Sequence, residues 1–399
     1  MSAPDGALAD VARLLWPAGG ARTTRRPGAP GLLALPSSAA PRLLVPADVP
    51  GAAGMLRRHS TSGRRRAAQD ALARAQRAGA LRWLPLPRLT GAGGLPAHAA
   101  ATVEGGHRVG VLLGPPRANA KPVLQVFDRA GRTVAFGKVG HTPRAAALVR
   151  HEAGVLRELD GAPLRALEVP RPLHAGTWRG LELLVMSALP AAQTRSGSWE
   201  PPLAALRELA EHGGTTTARV GRGAYAEDLV RRCAAASPGT GELARAAVAA
   251  VADVELGHGR WHGDWAPWNT AAGADGRVQV WDWERSATGV PLGLDAAHLR
   301  AQALLRDRAA PSELAGGLLA AARGDLAAWY DREDRRRATV LLYLLEVLQR
   351  YRADADAGST EALRRRTATV EAAVDHLLDP RAGTPRDDTT EGTRAGAEA

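Results

Sequence analysis

The sequence predicts an α+β chain in which a strand-rich stretch carrying one helix precedes a longer, mainly helical stretch. Three observations carry this expectation. Apolar, strand-like runs cluster at 108–113, 123–127 and 133–139, and again at 171–178 and 181–186. Between the two groups, 143–159 has helical spacing, with Ala146, Leu148, Ala153, Leu156 and Leu159 as its apolar positions. After Pro190 the chain turns Ala- and Leu-rich, with helical patterns at 202–211, 225–236, 242–256, 294–307, 311–330, 335–351 and 361–378.

Residues 1–45 are rich in Pro, Gly and Ala and show little periodicity beyond a short helix over 7–16. Helical spacing over 65–84 sets Ala68, Leu72, Ala75 and Ala78 on one side, and Gly79 weakens the last turn. Gly91, Gly93, Gly94 and Pro96 make 88–101 read as a linker. Asp128-Arg129-Ala130-Gly131-Arg132 and Arg179-Gly180 supply hairpin turns within the strand-rich stretch. The end from 384 is polar and aperiodic, the signature of disorder. The expected divisions are a basic extension (1–100), a strand-rich lobe (101–189), a helical lobe (190–380) and a tail (381–399).

Composition narrows the function classes. The single cysteine, Cys233, excludes an internal disulfide framework and suits a reducing compartment. Asp5 and Asp10 stand where a signal peptide would be basic, and no apolar run reaches membrane-spanning length. A soluble, cytoplasmic protein is expected. Of the net charge of +11, ten units lie in residues 1–100, which hold fourteen Arg against four Asp. Arg57-Arg58 and Arg64-Arg65-Arg66 are the densest basic patch, but no aromatics are interleaved for base stacking, which argues against nucleic acid as a partner. Only two of the fifty-two basic residues are lysines, Lys121 and Lys138, and both fall in the strand-rich stretch. A chain this biased toward Arg keeps Lys by chance or where a compact ammonium is needed.

The most specific signal is His262-Gly263-Asp264-Trp265-Ala266-Pro267-Trp268-Asn269, followed eighteen positions after Asp264 by Asp282 in Val280-Trp281-Asp282-Trp283-Glu284. A carboxylate, an amide five residues on and a second carboxylate at a strand end suit one task, holding Mg²⁺ and a polyphosphate while a hydroxyl attacks. Asp282 can chelate the metal, Asn269 offers a neutral oxygen, and Asp264 can orient or deprotonate the nucleophile. For the eight-residue run alone, a turn with solvated carboxylates is the simpler alternative.

The run resembles the catalytic loop of the aminoglycoside phosphotransferase-like small-molecule kinases, written H-G-D-x-x-x-x-N. Trp281-Asp282-Trp283-Glu284 resembles their metal-binding strand end, where protein kinases have D-F-G. The resemblance covers about residues 100–345 and implies a two-lobed protein-kinase-like fold. In it a small antiparallel lobe with one helix binds nucleotide, and a larger helical lobe follows. Three strands, a helix and two strands over 108–186 match that small lobe. The resemblance further implies that Glu152 fixes Lys138 against the α- and β-phosphates, with Glu158 as the competing acid. It makes Leu184-Val185-Met186-Ser187-Ala188-Leu189-Pro190 the hinge, where backbone near Ser187 and Leu189 reads the adenine edge. Asp264 becomes the catalytic carboxylate, and Asn269 and Asp282 the Mg²⁺ ligands. His262 and Asp295 brace the loop, and Trp265 and Trp268 pack it. Glu284 faces the substrate or pairs with Arg285. There is no G-x-G-x-x-G loop, so Arg117, Asn119 and Lys121 are the candidates for covering phosphates, with a turn bearing surface charges the equal alternative.

The leading expectation is therefore transfer of a phosphoryl group from ATP, with GTP open as donor, to a hydroxyl of a small molecule. Two other classes compete with it. One is a catalytically silent nucleotide-binding protein on the same fold, which degraded Asp264, Asn269 or Asp282 would have favoured. The other is nucleic-acid or membrane-surface binding through residues 1–100. Residues 101–399 are nearly neutral, so a sugar, a sugar-like metabolite or an amino alcohol fits the acceptor at least as well as a polycationic aminoglycoside. The acceptor, the nucleotide preference and the oligomeric state leave no trace in these residues.

Overall fold

Strands too short to be stable alone pair edge to edge through the first half of the chain. In chain order the elements are α1 (Gly6–Leu15), β1 (Arg22–Thr24), β2 (Leu32–Leu35), β3 (Leu43–Pro46), α2 (Gly63–Arg77), β4 (Arg88–Thr90) and α3 (Gly94–Ala101). They continue with β5 (Arg108–Leu112), β6 (Val123–Phe127), β7 (Thr133–Gly140), α4 (Pro143–Leu159), β8 (Leu167–Glu168), β9 (Pro172–Trp178) and β10 (Leu181–Ser187). The computed structural model describes residues 6–57, 63–114, 121–190, 193–194, 199–355 and 360–379. Contacts divide the chain into two units, Met1–Ser198 with His262–Ala287, and Trp199–Trp261 with Thr288–Ala399.

The first unit is built on a nine-stranded sheet in the order β1-β4-β2-β3-β5-β6-β7-β10-β9. Its pairings are antiparallel throughout. The segment β5-β6-β7-β10-β9, with α4 against β7, β9 and β10, has the antiparallel strands and single helix expected over 108–186. Thr142 caps α4 by accepting from the Ala145 amide at 3.2 Å, and Pro143 opens its first turn. The buried face of α4 is Ala145, Val149, Glu152, Ala153, Val155, Leu156 and Leu159, so a carboxylate enters an otherwise apolar stripe.

The first hundred residues extend this sheet. Leu43 and Leu44 of β3 pair with Leu112 and Val111 of β5. Both faces are covered. Leu8, Leu15 and Leu95 pack with Leu32, Ala34, Val109 and Val111 on one side. Leu33, Leu35, Val45, Met55, Ala73 and Phe127 form the core on the other. A strand buried on both faces shows no alternation, which is why β2 left no periodic trace in the sequence.

Residues 88–101 correct the linker reading, since they form β4 and α3. Arg88 misleads in one dimension because it is wholly buried, with its guanidinium donating to the carbonyls of Arg26 (3.1 Å), Leu86 (3.2 Å), Arg82 (2.5 Å) and Leu84 (2.9 Å). Helix α2 also differs from expectation. Its buried positions are Ala73 and Gln76, the latter donating to the carbonyls of Pro46 and Val49 at 3.0 and 2.8 Å, while Ala68 and Ala78 are exposed. Alanine at every third or fourth position barely distinguishes one face from another.

A second, four-stranded sheet in the same unit joins Gln193–Thr194, Thr270–Ala272, Val278–Val280 and β8. The second unit is mainly helical among the described residues: Leu203–Glu211, Ala224–Ala236, Pro238–Ala250, Leu294–Arg306, Pro311–Asp325, Glu333–Ala355 and Glu361–Leu378. The helix expected over 242–256 ends at Ala250, and Glu255–Trp261 is a strand instead. The sequence runs apolar through that junction, so periodicity alone carries the helix too far. Within this unit Arg232 grips Glu346 through two hydrogen bonds of 2.7 and 2.8 Å. Beside them burial and Glu346 push the Cys233 thiol up to about 12, which keeps it protonated and unreactive, as its helical setting implied.

The class predicted from sequence, α+β with an antiparallel-sheet part and a mainly helical part, is the class observed, although the helical unit is the smaller of the two. No helix among the described residues is long and apolar enough to cross a membrane. Arg58, Arg117, Asn119 and the tail 381–399 lie outside the described residues.

Candidate active site

Every charged group of the candidate site belongs to the first unit. Lys138 stands on β7, where its neighbours Gly137 and Val139 are buried and its own side chain is 12% exposed. Its ammonium donates to both carboxylate oxygens of Glu152, at 2.7 and 2.6 Å, and to Oδ1 of Asp282 at 2.6 Å. Glu158, the competing acid, is exposed on the far side of α4. Burial alone would lower Lys138, but Asp282, Glu152 and Glu284 outweigh it and hold the ammonium charged, well above the usual lysine value. Glu152 is pushed up as well, by its burial, against the pull of Lys138.

The loop bearing Asp264 is braced from beneath. His262 is fully buried and accepts the Asp264 amide on Nδ1 at 3.2 Å, which makes Nε2 the protonated nitrogen that donates to the Trp281 carbonyl at 3.1 Å. Its ring meets that of Trp283 edge-on, with centroids 4.7 Å apart, and that of Trp265 at 6.0 Å. A buried imidazole with both nitrogens occupied is a strut, in line with the expectation for His262. Asn269 closes the loop, donating through Nδ2 to the Asp264 carbonyl at 2.9 Å and to Asp264 Oδ2 at 2.8 Å. The amide therefore orients the carboxylate, and its oxygen is the atom left to offer a cation.

Gly263 has no substitute here. Its φ is +84°, and an added Cβ would fall 2.2 Å from the carbonyl oxygen of Arg285. Gly263→Ala is expected to destabilise the first unit by about 2 kcal/mol, from left-handed strain together with displacement of the Arg285 backbone. Urea unfolding followed by tryptophan fluorescence measures it; wild-type stability would remove the close approach from the account.

Asp282 is brought in by the hairpin of the small sheet. Thr270 pairs with Val280, and the Trp281 amide donates to the Asn269 carbonyl at 3.1 Å, so the loop end and the strand end are backbone neighbours. At Asp282 the chain turns into the left-handed region, with φ at +73°, a conformation that Asp tolerates better than most residues. The next amide, that of Trp283, donates to Glu152 at 3.1 Å and fastens the turn to α4. Burial would raise the Asp282 carboxyl, but Lys138, with Lys121 and His262, outweighs it and holds the group below the usual carboxylate range.

Glu284 corrects the sequence reading, because its carboxylate is paired with Lys121 rather than Arg285, and both side chains are nearly buried, at 13% and 10% exposure. Oxygens of Glu152, Asp282 and Glu284 lie within 4.8 Å of one another. Carboxylate oxygens supplemented by an amide oxygen fit a hard divalent cation such as Mg²⁺. Trp265 is buried as expected, but Trp268 is 53% exposed and does not pack the loop. At the hinge, the Ser187 and Ala188 amides are committed to the carbonyls of Arg171 (2.8 Å) and Val134 (3.0 Å). Among the described residues no sheet bond engages Leu189. Asp295 is buried in the first turn of Leu294–Arg306, within the second unit. The membership of Glu284 was missed; two positions beyond Asp282 in an otherwise aromatic strand end was the available signal.

No family model matches the chain, and no curated protein matches it in sequence. Among solved structures it is similar to a macrolide 2′-phosphotransferase type I, at 17% identity and TM-score 0.44 over 69% of this chain and 95% of that one. It is also similar to an aminoglycoside phosphotransferase bound to ADP, at 9% identity and TM-score 0.42 over 70% and 97%. A third is an aminoglycoside phosphotransferase in complex with streptomycin and ATP, at 9% identity and TM-score 0.43 over 70% and 96%. The functional reading rests on the site itself.

Proposed function

We propose that the chain is a Mg²⁺-dependent kinase that moves the γ-phosphoryl group of ATP to a hydroxyl of a small molecule. One observation carries the reading: an ammonium held within 2.6 Å of both a helix carboxylate and a strand-end carboxylate, Lys138 with Glu152 and Asp282. Structural ion pairs have no need of this arrangement, since burying three charges is expensive and an apolar triad would serve packing as well. A polyphosphate site does need it.

In this reading Lys138, aimed by Glu152, takes the α- and β-phosphates, and Asp282 and Asn269 hold the metal. Bound there, Mg²⁺ would supply positive charge that offsets the negative charge of transfer. The backbone at Leu189, beside Ser187, reads the adenine edge. Asp264, held by the Asn269 amide, aligns the acceptor hydroxyl and takes its proton as the new oxygen–phosphorus bond forms, while the bond from the γ-phosphorus to the β,γ-bridging oxygen breaks and ADP leaves with that electron pair. The near-neutral charge of residues 101–399 suits a sugar, a sugar-like metabolite or an amino alcohol at least as well as a polycationic aminoglycoside. The test is a melting experiment with and without Mg·ATP and Mg·GTP, followed by a phosphate-transfer screen over pooled sugars, amino alcohols and aminoglycosides. Nucleotide-dependent stabilisation and transfer to one pool are expected. Absence of any nucleotide effect refutes the reading, and binding without transfer to any pool favours a silent nucleotide-binding protein.

A further inference from the structure

The chain contains two lysines in 399 residues, and both end on the same group of carboxylates. Lys138 holds Glu152 and Asp282, while Lys121 holds Glu284, two residues beyond Asp282. Lys121 enters from just before β6, whose first residue, Val123, is the cross-strand partner of Lys138. The two ammonium groups therefore arrive, one from β7 and one from the segment just before its neighbour β6, at carboxylate oxygens lying within 4.8 Å of one another.

Three carboxylates so close repel one another, and two ammonium groups leave one negative charge over. A metal-free polyphosphate meets that excess and the cations' existing partners together. An ion pair as enclosed as Lys121–Glu284 is weak evidence for stability, because desolvation consumes much of its Coulombic gain. A lysine differs from the fifty arginines in one useful respect. Its compact, freely rotating ammonium exchanges a carboxylate for a phosphate oxygen without needing a planar, two-pronged partner.

We infer that Lys121 is a second phosphate-binding cation, stored on Glu284 while the site is empty and passed to the polyphosphate when nucleotide binds. The inference rests on the proposed phosphotransfer reading and deepens it. Glu284 is then a positioning residue: it keeps Lys121 at the mouth of the phosphate site and sets a threshold against nucleotide that arrives without its metal. The competing account makes Lys121–Glu284 a tether that fastens the start of β6 to the strand end.

The test is calorimetric titration of the full chain with a non-hydrolysable ATP analogue, in Mg²⁺ and in chelator, with adenosine as a control lacking phosphates. Lys121→Met is expected to weaken the analogue on the order of tenfold, as loss of a charge-assisted bond implies, and to leave adenosine unchanged. Lys121→Arg should recover part of the loss. In chelator, Glu284→Gln should strengthen analogue binding several-fold, and that gain should shrink when Lys121→Met is added. Analogue affinity within twofold of wild type for Lys121→Met, with a lowered melting temperature, overturns the proposal in favour of the tether. A full gain for Glu284→Gln in the double variant overturns it too, since the effect would then be general charge removal. If wild type binds neither analogue nor adenosine, the kinase reading itself falls before Lys121 is compared.

Discussion

Asp264→Ala is expected to lower kcat for phosphate transfer on the order of 10³-fold, within the range that a positioned general base supplies, while nucleotide affinity stays within about threefold of wild type. The split follows from the geometry. Asp264 is held by Asn269, whereas the partners of Lys138 are Glu152 and Asp282. On the proposed reading, losing the Asp264 carboxylate removes an interaction with the acceptor hydroxyl and leaves the Lys138 ammonium in place for the phosphates. Single-turnover transfer and calorimetry on the same preparation measure the two quantities. Loss of nucleotide affinity in parallel with kcat would assign Asp264 to the nucleotide instead, and unchanged transfer would remove it from the reaction.

Lys138→Met is expected to act on stability as well as binding. It leaves the fully buried Glu152 with no cation, and breaking one side of a buried pair costs about 3–5 kcal/mol. The pH dependence gives the sign. Without Lys138, burial and the Asp282 charge raise Glu152 in the folded state above its unfolded value, so the carboxyl prefers its proton when folded. The penalty of ionising it is present above the unfolded value and fades as pH falls below the folded one. The gap between wild type and variant should therefore be largest near pH 7 and narrow toward pH 4. Urea unfolding at both values checks this, and a gap that widens on acidification would contradict the charge account.

Much of the small lobe was legible because its strands are long enough to show their pattern. The 123–127 run and the 143–159 helix are observed as Val123–Phe127 and Pro143–Leu159. Lys138 and Glu152 were legible for different reasons: lysine is rare here, and the resemblance pairs that lysine with an acid on the following helix. What could not be read had its cause in three dimensions. Leu32–Leu35 is covered on both faces, so it lacks alternation. Arg88 looks like surface charge and is instead a buried hub for carbonyl oxygens. The choice of Glu284 between Arg285 and Lys121 depends on a partner 163 positions away, which no local pattern encodes. Trp265 and Trp268 share one expectation of packing the loop, yet one ring is buried and the other half exposed. Which way a loop residue points is set by the backbone at Pro267–Asn269, not by residue type.

The ladder between Leu43–Leu44 and Val111–Leu112 bears on how the arginine-rich beginning of the chain is regarded. A detachable polyelectrolyte arm could be trimmed away with little harm. Here trimming near position 100 would bare the flank of Arg108–Leu112 and uncover Val109 and Val111, inviting intermolecular pairing. Most of the molecule's net positive charge thus rides on a fabric woven continuously into the layer that carries Lys138.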